Sequence, residues 1–346
     1  MGRFLHEVAT PGAAAGSSVA RDDRPSVLAV IVCYEPERSP LAVLVAGLQR
    51  ERVQVLLVDN SEHRQGRETV RAVAAEGGAA VVANDGNAGV AAAHNVGIRR
   101  AVRLGFDHVL LLDQDSELAP GSVQRLADAY RTLTAAGERV AAVGPSCADA
   151  RSGLVFPFAR LRRLRMERLT PAPGQAVECD ILISSGCFIS LNALREIGEM
   201  DERLFIDFVD VEWCVRARSL GWKVHGVADA HMRHRLGDGT FRVLGRVIPV
   251  HGPARYYFLT RNALLLARKP FLTWRWRAHL AYRVAGQFVL FGLLCPQRGA
   301  RVGMMLRGLI DGLVGRDGPL GDASTAADGT VATAPQALRS APTLRD

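Results

Sequence analysis

The sequence predicts an α/β protein with a mostly parallel central sheet, helices on both faces of that sheet and a helical extension at the C-terminus. Short, continuously apolar runs alternate with helical stretches through the first half of the chain, and these runs are 27–33, 53–58, 80–83 and 108–112. Strands that lack polar alternation are typical of parallel sheets covered on both faces. Ligands on such sheets bind beyond the carboxyl ends of the strands, where each of these runs is followed by polar residues.

The remaining elements follow from the same patterns. Helices are predicted at 40–49, 67–76 and 88–104 between the four strands. The second half predicts a short strand at 181–183, a Ser184–Phe188 turn into another strand, a helix after Asn192 and a helix that begins in the acidic segment 207–212 and ends at Gly221.

The length and composition predict one large core with a smaller appended region. The 346 residues are 48% apolar, which suits a single main domain over 26–268. We expect this domain to have a first half at 26–118 and a second half at 119–268. An amphipathic helical region is expected at 269–314, with disordered ends at 1–25 and 315–346, where periodicity is lacking.

The charge and cysteines indicate a cytoplasmic protein that does not bind nucleic acid. The net charge is +8, but Lys223 and Lys269 are the only lysines, so the arginine excess reflects codon usage as much as a binding surface. The six scattered cysteines form no metal or disulfide pattern and are interpreted as reduced thiols. The N-terminus lacks the apolar core of a secretory signal.

Two aspartates directly after the fourth run predict a divalent-cation site. Asp113 and Asp115 occupy alternate positions behind Leu110–Leu112. Mg²⁺ or Mn²⁺ prefers a few oxygen ligands and completes its shell with substrate phosphate. The competing interpretation is a solvated turn with helix-capping aspartates, but the place at the end of a parallel strand favours the metal.

Polar residues after the first three runs are candidates for contacts to a nucleotide. Tyr34 follows the first run, and Asp59 follows the second, where it could accept hydrogen bonds from a base or ribose or simply close an Asx turn. Asn87 follows the third as a candidate helix N-cap or substrate contact. For Asn95 and Gly97, a structural role is at least as well supported as a substrate contact.

A second acidic cluster is a candidate general base. Asp207, Asp210 and Glu212 lie near a predicted helix start among Phe205, Phe208 and Trp213, and Trp213 is itself a candidate substrate contact. Apolar neighbours desolvate a carboxylate and raise its pKa towards the range useful for a base. Favourable charge at a helix N-terminus is the competing explanation, above all for Glu212.

Later residues add candidate contacts to phosphate and metal. His231 and His234 are spaced so that either could bind a metal or phosphate, and the glycine turn after His234 favours the latter residue. Arg255 and Arg261 lie in a predicted helix where cations could hold diphosphate oxygens, with solvated helix charge as the alternative.

The C-terminal region predicts contact with a membrane surface. Its uninterrupted apolar run, 288–295, is far shorter than the ~20 residues that span a bilayer. Arginines at 275, 277, 283, 298, 301 and 307 suggest helices lying on an anionic inner leaflet. A helical lid or a homodimer surface is the alternative.

The ordered motifs resemble family 2 glycosyltransferases, and more narrowly the bacterial rhamnosyltransferases that use dTDP-L-rhamnose. The likeness runs from about Val27 to Arg268 and rests on the following segments: 32–34, 58–61, 87–97, 112–116, 184–187, 205–214 and 234–238. It implies the GT-A fold, an inverting transfer of a sugar from a nucleotide diphosphate, and an acceptor that is a glycan or lipid-linked glycan of the bacterial surface. The half at 26–118 would then bind the nucleotide, and the half at 119–268 would bind the acceptor and carry the catalytic residue.

The resemblance also implies roles at matching positions. Asp59 would contact the base, Asp113 the ribose or diphosphate, and Asp115 the Mg²⁺ or Mn²⁺, with His234 reaching metal or phosphate. Asp210 falls at the position of the catalytic base. The family often has Glu before this aspartate, whereas Val209 stands here, so Asp207 and Glu212 stay open as substitutes.

Other functions are less well supported by the sequence. No Gly-x-Gly-x-x-Gly follows the first strand, which argues against a dehydrogenase, and the loop after it lacks the glycines and basic residues of a nucleotidyltransferase. Two alternatives stay open: a UDP-hexose or UDP-galactofuranose donor on the same fold, and a non-catalytic scaffold that binds nucleotide sugars or membranes.

Overall fold

The computed structural model describes residues 26–234, 239–243, 246–294 and 298–321. The four predicted parallel strands and the three helices between them are confirmed. The elements are β1 (Val27–Cys33), α1 (Arg38–Arg50), β2 (Gln54–Asp59), α2 (Arg64–Gly77), β3 (Ala80–Ala83), α3 (Val90–Leu104) and β4 (His108–Asp113). Strand β1 pairs in parallel with both β2 and β4, and β2 pairs in parallel with β3.

The second half extends this sheet with strands of both directions. These elements are β5 (Glu117–Leu118), α4 (Ser122–Ala135), β6 (Val140–Asp149), β7 (Val155–Phe156), β8 (Phe158–Arg162), β9 (Arg165–Leu169), β10 (Ala176–Cys179), β11 (Cys187–Ser190), α5 (Leu191–Ile197), α6 (Val209–Ser219) and β12 (Lys223–His234). Among the described residues the main sheet has the order β10-β12-β6-β11-β4-β1-β2-β3. Strand β11 is antiparallel to both β4 and β6. The sheet is therefore mixed, and its parallel pairs dominate the half formed by β1 to β4.

The strand predicted at 181–183 is wrong. Ile181 makes a single isolated bridge to Ala159, and the chain then runs as a loop into the turn before β11. Three apolar residues in a row suggested a strand, but Leu182 instead packs over Gly144 of β6, where an added Cβ at the glycine would lie 2.8 Å from it.

The chain ends in a hairpin and three helices. These elements are β13 (Gly239–Val243), β14 (Arg246–Val250), α7 (Pro253–Ala267), α8 (Trp274–Val289) and α9 (Arg298–Val314), with a π-helical turn at Leu290–Leu294. The helical character predicted for the C-terminal region is thus confirmed. The disorder predicted for 1–25, and for the 322–346 part of the predicted tail 315–346, falls outside the described residues. Residues 315–321 of that tail are described, and the Gly318 backbone nitrogen donates to the Arg203 carbonyl oxygen at 2.8 Å. No helix in the described ranges is both long and apolar enough to cross a bilayer.

Two apolar layers cover the sheet and fix the strand ends. One layer includes Val30 and Leu111 beneath α3 and α5, and the other includes Ile31 and Leu112 beneath α1 and α4. Alternate side chains of each strand enter opposite layers because the side-chain period of a strand is two residues. Rigid strands therefore deliver the polar residues that follow them to one edge.

Helix α9 docks closely on α7 through two glycines. An added Cβ at Gly308 would lie 2.5 Å from the Tyr257 carbonyl oxygen, and one at Gly312 would lie 2.8 Å from Leu264. The spacing of four residues places both glycines on one helix face. Close backbone contact thus joins the C-terminal helices to the catalytic domain.

Candidate active site

The end of β4 carries a cluster of three potential metal ligands. Ligand atoms of Asp113, Asp115 and His234 all lie within 4.8 Å of one another. His234 Nε2 is 3.5 Å from Asp113 Oδ2, and its Nδ1 is 3.3 Å from Asp115 Oδ1. The structure thus brings together all three residues that the sequence singled out for metal binding.

The long, irregular strand β12 delivers His234 to this cluster. The pairing of β12 with β6 shifts register between Val227 and His231, and the strand then continues to His234 beside β5. A bulge of this kind redirects the side chains that follow it. His231, the other candidate histidine, is exposed, and its backbone carbonyl accepts a hydrogen bond from Ser122 Oγ.

Electrostatics in the cluster favour a bound cation. Burial raises the pKa of Asp113, and Asp115 raises it further, while His234 and Arg255 act in the opposite direction. Burial alone would lower the pKa of His234, but its hydrogen bond with Asp115 and the charge of Asp113 outweigh burial and raise it. Two carboxylates are therefore held close together in a partly desolvated place, which a divalent cation would relieve.

Two serines support the cluster. Ser185 Oγ accepts a hydrogen bond from the Asp113 backbone nitrogen at 3.1 Å and lies 2.6 Å from Ser116 Oγ. Ser116 Oγ in turn lies 3.3 Å from His234 Nδ1. The sequence motif 184–187 was noted but Ser185 was not selected as a site residue, because nothing in the sequence shows that β11 lies beside β4.

The donor set suits Mg²⁺ or Mn²⁺. Carboxylate oxygens are the usual ligands of both ions, and an imidazole nitrogen suits a transition metal such as Mn²⁺. Three protein ligands leave coordination positions for phosphate oxygens. Asp113, Asp115 and His234 would hold the ion.

Asp210 lies in the first turn of α6 and shares a pocket wall with apolar residues. It is half-buried and lines a small cavity with Pro145, Ile181 and Ile183. Burial raises the pKa of Asp210 to about 6, and the charges of Asp207 and Asp113 contribute to the increase. The charge of Asp113 thus acts on Asp210, and Arg255, which binds Asp207 just before α6, acts on Asp113 as well.

The two alternative bases are engaged in ion pairs. Asp207 accepts hydrogen bonds of 3.0–3.2 Å from Arg255. Glu212 is 1% exposed and pairs with Arg216 of the same helix. Asp207 precedes α6, which begins at Val209. These contacts leave Asp210 as the carboxylate best disposed to accept a proton.

The loop before α6 is strained and is held by α7. Phe205, Asp207 and Phe208 all have φ between 62° and 64°, a conformation that costs non-glycine residues energy and recurs at functional sites. The Asn262 amide nitrogen lies 2.7–3.0 Å from the carbonyl oxygens of residues 204, 206 and 207. Helix α7 thereby fixes the position from which Asp210 projects.

Two predicted substrate contacts lie in the packed interior instead. Arg261 is fully buried, and its guanidinium donates to the carbonyl oxygens of Leu204 and Gly318. Trp213 is 1% exposed and donates from Nε1 to the Gly198 carbonyl oxygen. We assign both side chains to packing: Arg261 supports the loop before α6, and Trp213 fills the core beneath it.

Loops after β1, β3 and β4 meet at the nucleotide end of the sheet. The Tyr34 hydroxyl donates to Glu62 at 2.8 Å, and its phenol also hydrogen bonds with Asn87. Burial and Glu62 raise the pKa of Tyr34 to about 12. The Gln114 side chain bonds both the backbone nitrogen and the carbonyl oxygen of Tyr34. The partly exposed Tyr34 ring therefore has a fixed position beside the metal-binding loop.

Asp59 makes the local turn that the sequence offers as an alternative to a nucleotide contact, and Asn87 makes a local hydrogen bond without capping α3. Asp59 is 2% exposed and accepts a hydrogen bond from the Ser61 backbone nitrogen, which is an Asx turn. Asn87 accepts from the Gly89 backbone nitrogen, and Gly89 is the N-cap of α3, so Asn87 does not cap the helix. Asn95 binds the Met200 backbone through both side-chain atoms, which is a structural role.

The cysteines within the described ranges are free and buried, as predicted. They are Cys33, Cys147, Cys179, Cys187 and Cys214.

A mixed sheet with two carboxylates at the end of β4, a histidine at the end of β12 and a half-buried carboxylate in the first turn of α6 is the arrangement expected of nucleotide-sugar glycosyltransferases with the GT-A fold. Comparison with known proteins agrees. The profile described as "Glycosyltransferase like family 2" matches residues 25–244, and the chain belongs to this family. It is a glycosyltransferase.

Two curated relatives are rhamnosyltransferases by name. The chain is 32% identical over 246 residues to dTDP-rhamnosyl transferase RfbF of Shigella flexneri, covering 70% of this chain and 80% of that one. It is 28% identical over 200 residues to N-acetylglucosaminyl-diphospho-decaprenol L-rhamnosyltransferase of Mycobacterium tuberculosis, covering 51% of this chain and 62% of that one.

Solved structures support the fold. Mannosyltransferase PcManGT of Pyrobaculum calidifontis, in complex with GDP-Man and Mn²⁺, has a TM-score of 0.50 at 13% identity, covering 84% of this chain and 88% of that one. GalNAc-T7 with UDP, GalNAc and Mn²⁺ has a TM-score of 0.51 at 14% identity, covering 78% of this chain but only 58% of the longer GalNAc-T7 chain.

Proposed function

We propose that this glycosyltransferase transfers L-rhamnose, with inversion, from dTDP-L-rhamnose to a lipid-linked glycan of the bacterial surface. The names of both curated relatives specify rhamnosyl transfer, and one specifies a diphospho-lipid acceptor. The observation that carries the proposal is the cluster of Asp113, Asp115 and His234, with Asp210 near enough for the charge of Asp113 to raise its pKa.

In the proposed reaction, Asp210 is the general base. Its carboxylate takes the proton from an acceptor hydroxyl as that oxygen attacks the anomeric carbon of the donor sugar. The bond from that carbon to the diphosphate breaks on the opposite face, so the configuration inverts and dTDP leaves. The apolar walls around Asp210 keep the carboxylate partly desolvated, which makes it a stronger base than an exposed aspartate.

The residues of the nucleotide half bind and orient the donor. Asp113 and Asp115, with His234, would hold Mg²⁺ or Mn²⁺, which neutralises charge on a departing diphosphate when bound. Tyr34 and Asn87 would contact the nucleoside beside Asp59. Arg255, rather than Arg261, is the arginine whose charge acts on the metal cluster.

A donor panel tests the proposal. Purified protein with Mn²⁺ is given dTDP-L-rhamnose, UDP-hexoses and UDP-galactofuranose, and release of the nucleotide diphosphate is measured. We expect dTDP-L-rhamnose to give the highest kcat/KM, and a higher value with a UDP-sugar would refute the donor assignment. A scaffold protein would release no diphosphate from any donor but would still gain thermal stability from dTDP and Mn²⁺.

Variants then test the base. Asp210→Asn should lower transfer by a factor of about 10²–10⁴, the usual contribution of a general base, with dTDP affinity kept within about twofold. Asp128→Asn, on the exposed face of α4 beside Arg131, is the matched control. Equal activity in the two variants would move the base elsewhere.

We also propose that helix α9 rests on the inner face of the cytoplasmic membrane. Leu306, Ile310, Leu313 and Val314 are 47–68% exposed and share one side of the helix by their spacing. Arginines in the same region suit anionic headgroups, and an exposed apolar side with flanking cations is typical of interfacial helices. The acceptor of such an enzyme would lie in the same membrane.

Vesicle sedimentation tests this surface. Leu306→Ser with Ile310→Ser should reduce sedimentation with phosphatidylglycerol vesicles severalfold, whereas Leu104→Ser, an equally exposed leucine on α3, should not. Unchanged sedimentation would refute the membrane contact. A loss of dimer in analytical ultracentrifugation would instead identify the exposed side of α9 as a homodimer surface.

A further inference from the structure

Helix α8 packs against the start of α6, the helix that carries Asp210. This helix lies beyond residues 25–244, which the family profile matches. Trp276 and Leu280 pack in one apolar cluster with Phe208, at the start of α6. Arg283 follows Trp276 and Leu280 at helical spacing, so it lies on the same packed side of α8.

Arg283 lies against the residue that caps α6. Its guanidinium carbon is 5.2 Å from the centre of the Phe208 ring, and Phe208 is the N-cap of the helix that carries Asp210. Part of the Arg283 side chain is open to solvent. Within the described stretches of the chain, no hydrogen bond or ion pair engages its guanidinium, which has five N–H donors to offer.

Arg255 and Arg283 interact with different parts of the acidic cluster. Arg255 binds Asp207, and its charge acts on Asp113 and His234, on the metal side. Neighbouring protein atoms partly desolvate Arg283 and lower its pKa, while the carboxylates of Asp210 and Asp207 oppose that change. Arg283, beside Phe208, is thus the arginine whose charge acts on the proposed base, whereas Arg255 acts on the metal cluster.

We propose that Arg283 binds a phosphate group of the acceptor while Asp210 takes the proton from the acceptor hydroxyl. This inference rests on the proposed function, because it needs the acceptor to lie against Asp210. A guanidinium donates two parallel hydrogen bonds to phosphate oxygens, so it both binds the acceptor and orients it. A glycan linked to lipid through a diphosphate carries such a group close to its first sugar.

A pair of acceptors tests the proposal through transfer. N-acetylglucosamine joined to a dodecyl chain through a diphosphate is compared with the same sugar joined directly to dodecanol. Assays at pH 8 keep Asp210 ionised in all variants. We expect Arg283→Gln to reduce the ratio of kcat/KM between the phosphorylated and phosphate-free acceptors at least tenfold, with partial recovery in Arg283→Lys. A ratio equal to that of the wild type would overturn the proposal.

Arg275→Gln is the matched control, since Arg275 lies on the same helix over the exposed Trp274 ring. It should leave the ratio unchanged. If Arg275→Gln decreased the ratio equally, the effect would come from the positive charge of α8 in general, and the assignment to Arg283 would be overturned.

A binding measurement separates this inference from the proposed transfer. If neither acceptor is used, the proposed function fails, but dodecyl diphosphate can still be titrated calorimetrically into protein saturated with dTDP and Mn²⁺. We expect a Kd at least tenfold weaker in Arg283→Gln than in the wild type, and equal values would overturn the inference. Weaker sedimentation of Arg283→Gln with phosphatidylglycerol vesicles, without a change in that Kd, would also overturn it by assigning Arg283 to lipid headgroups.

Discussion

The pKa of Asp210 makes the pH dependence of transfer predictable. With a pKa of about 6, roughly one Asp210 carboxyl in ten is ionised at pH 5 and roughly nine in ten at pH 7. Only the ionised form accepts a proton, so kcat/KM should rise about tenfold between these values. An ordinary aspartate would give almost no change over the same range, since its pKa is 3.8.

A neighbouring variant shifts this profile in a known direction. The charge of Asp207 raises the pKa of Asp210, so Asp207→Asn should move the acidic limb towards lower pH. Removing Asp207 also frees Arg255, which acts in the same direction by stabilising a nearby anion. The rates are measured at saturating Mn²⁺, with the metal activation constant determined at each pH, so that protonation of the metal ligands is accounted for.

The same carboxylate should reduce the stability of the folded protein. Its folded-state pKa lies above its unfolded value, so ionising it costs free energy as the pH rises from about 4 to about 6, and the cost persists at pH 7. The difference corresponds to at most about 3 kcal/mol. Asp210→Asn should therefore unfold at higher urea concentration than the wild type at pH 7, with no gain at pH 4.

Two results would refute this reasoning. A kcat/KM that stays level between pH 5 and pH 7 at saturating metal would show that Asp210 is not a base with a raised pKa. An Asp210→Asn variant that is less stable at pH 7 would show that the carboxylate supports the fold, and its loss of activity would then say nothing about catalysis.

Three further predictions concern the supports of the site. Gly308→Ala should destabilise the protein by about 1–3 kcal/mol through contact with α7, whereas Gly303→Ala, in open space on the same helix, should stabilise it by about 0.5–1 kcal/mol in urea titrations. Hydrogen bonds from Arg203 and Lys269 outweigh the effect of burial and lower the pKa of Asp201 to about 2. Lys269→Met should therefore lower the free energy of unfolding by about 1–3 kcal/mol, and this loss should vanish as the pH falls from 4 to 2. A loss of stability that does not depend on pH would contradict this prediction. Asn262→Ala should lower kcat at least tenfold, with the Kd for dTDP unchanged, because it releases the strained loop before Asp210; a change in Kd alone would argue against that role.

The nucleotide half of the fold could be predicted well from the sequence. The strands β1 to β4 are continuous apolar runs with clear helices between them, and their ends are marked by Asp59, Asn87 and Asp113. Such runs leave little choice of pairing, since each must be covered on both faces. The second half mixes short strands of both directions, and this is where the false strand at 181–183 arose.

The sequence predicts the position of some residues of the site and not of others. Asp113 and Asp115 follow one strand, and their proximity is a local matter. The contact with His234 depends on a bulge in β12, and the support from Ser185 depends on β11 inserting between β4 and β6. Contacts of this kind join residues that are far apart in the sequence, so local sequence patterns do not predict them.

The arginines show why residue type alone was insufficient. Arg261 looked suitable for a diphosphate, yet it binds backbone carbonyls in the interior. Arg255 and Arg283 lie on separate helices, and only their packing around Asp207 and Asp210 distinguishes them from the many other arginines. Arginines that could bind a phosphate are common in this chain, but the tertiary structure determines which way each side chain points.

The most direct test of the account is a crystal structure with dTDP and Mn²⁺, with anomalous diffraction recorded at the manganese edge. The account predicts one strong anomalous peak between Asp113, Asp115 and His234, with dTDP phosphate oxygens on its open side and Asp210 facing the place of the missing sugar. A manganese peak elsewhere, or bound dTDP whose phosphates lie away from these three residues, would contradict it.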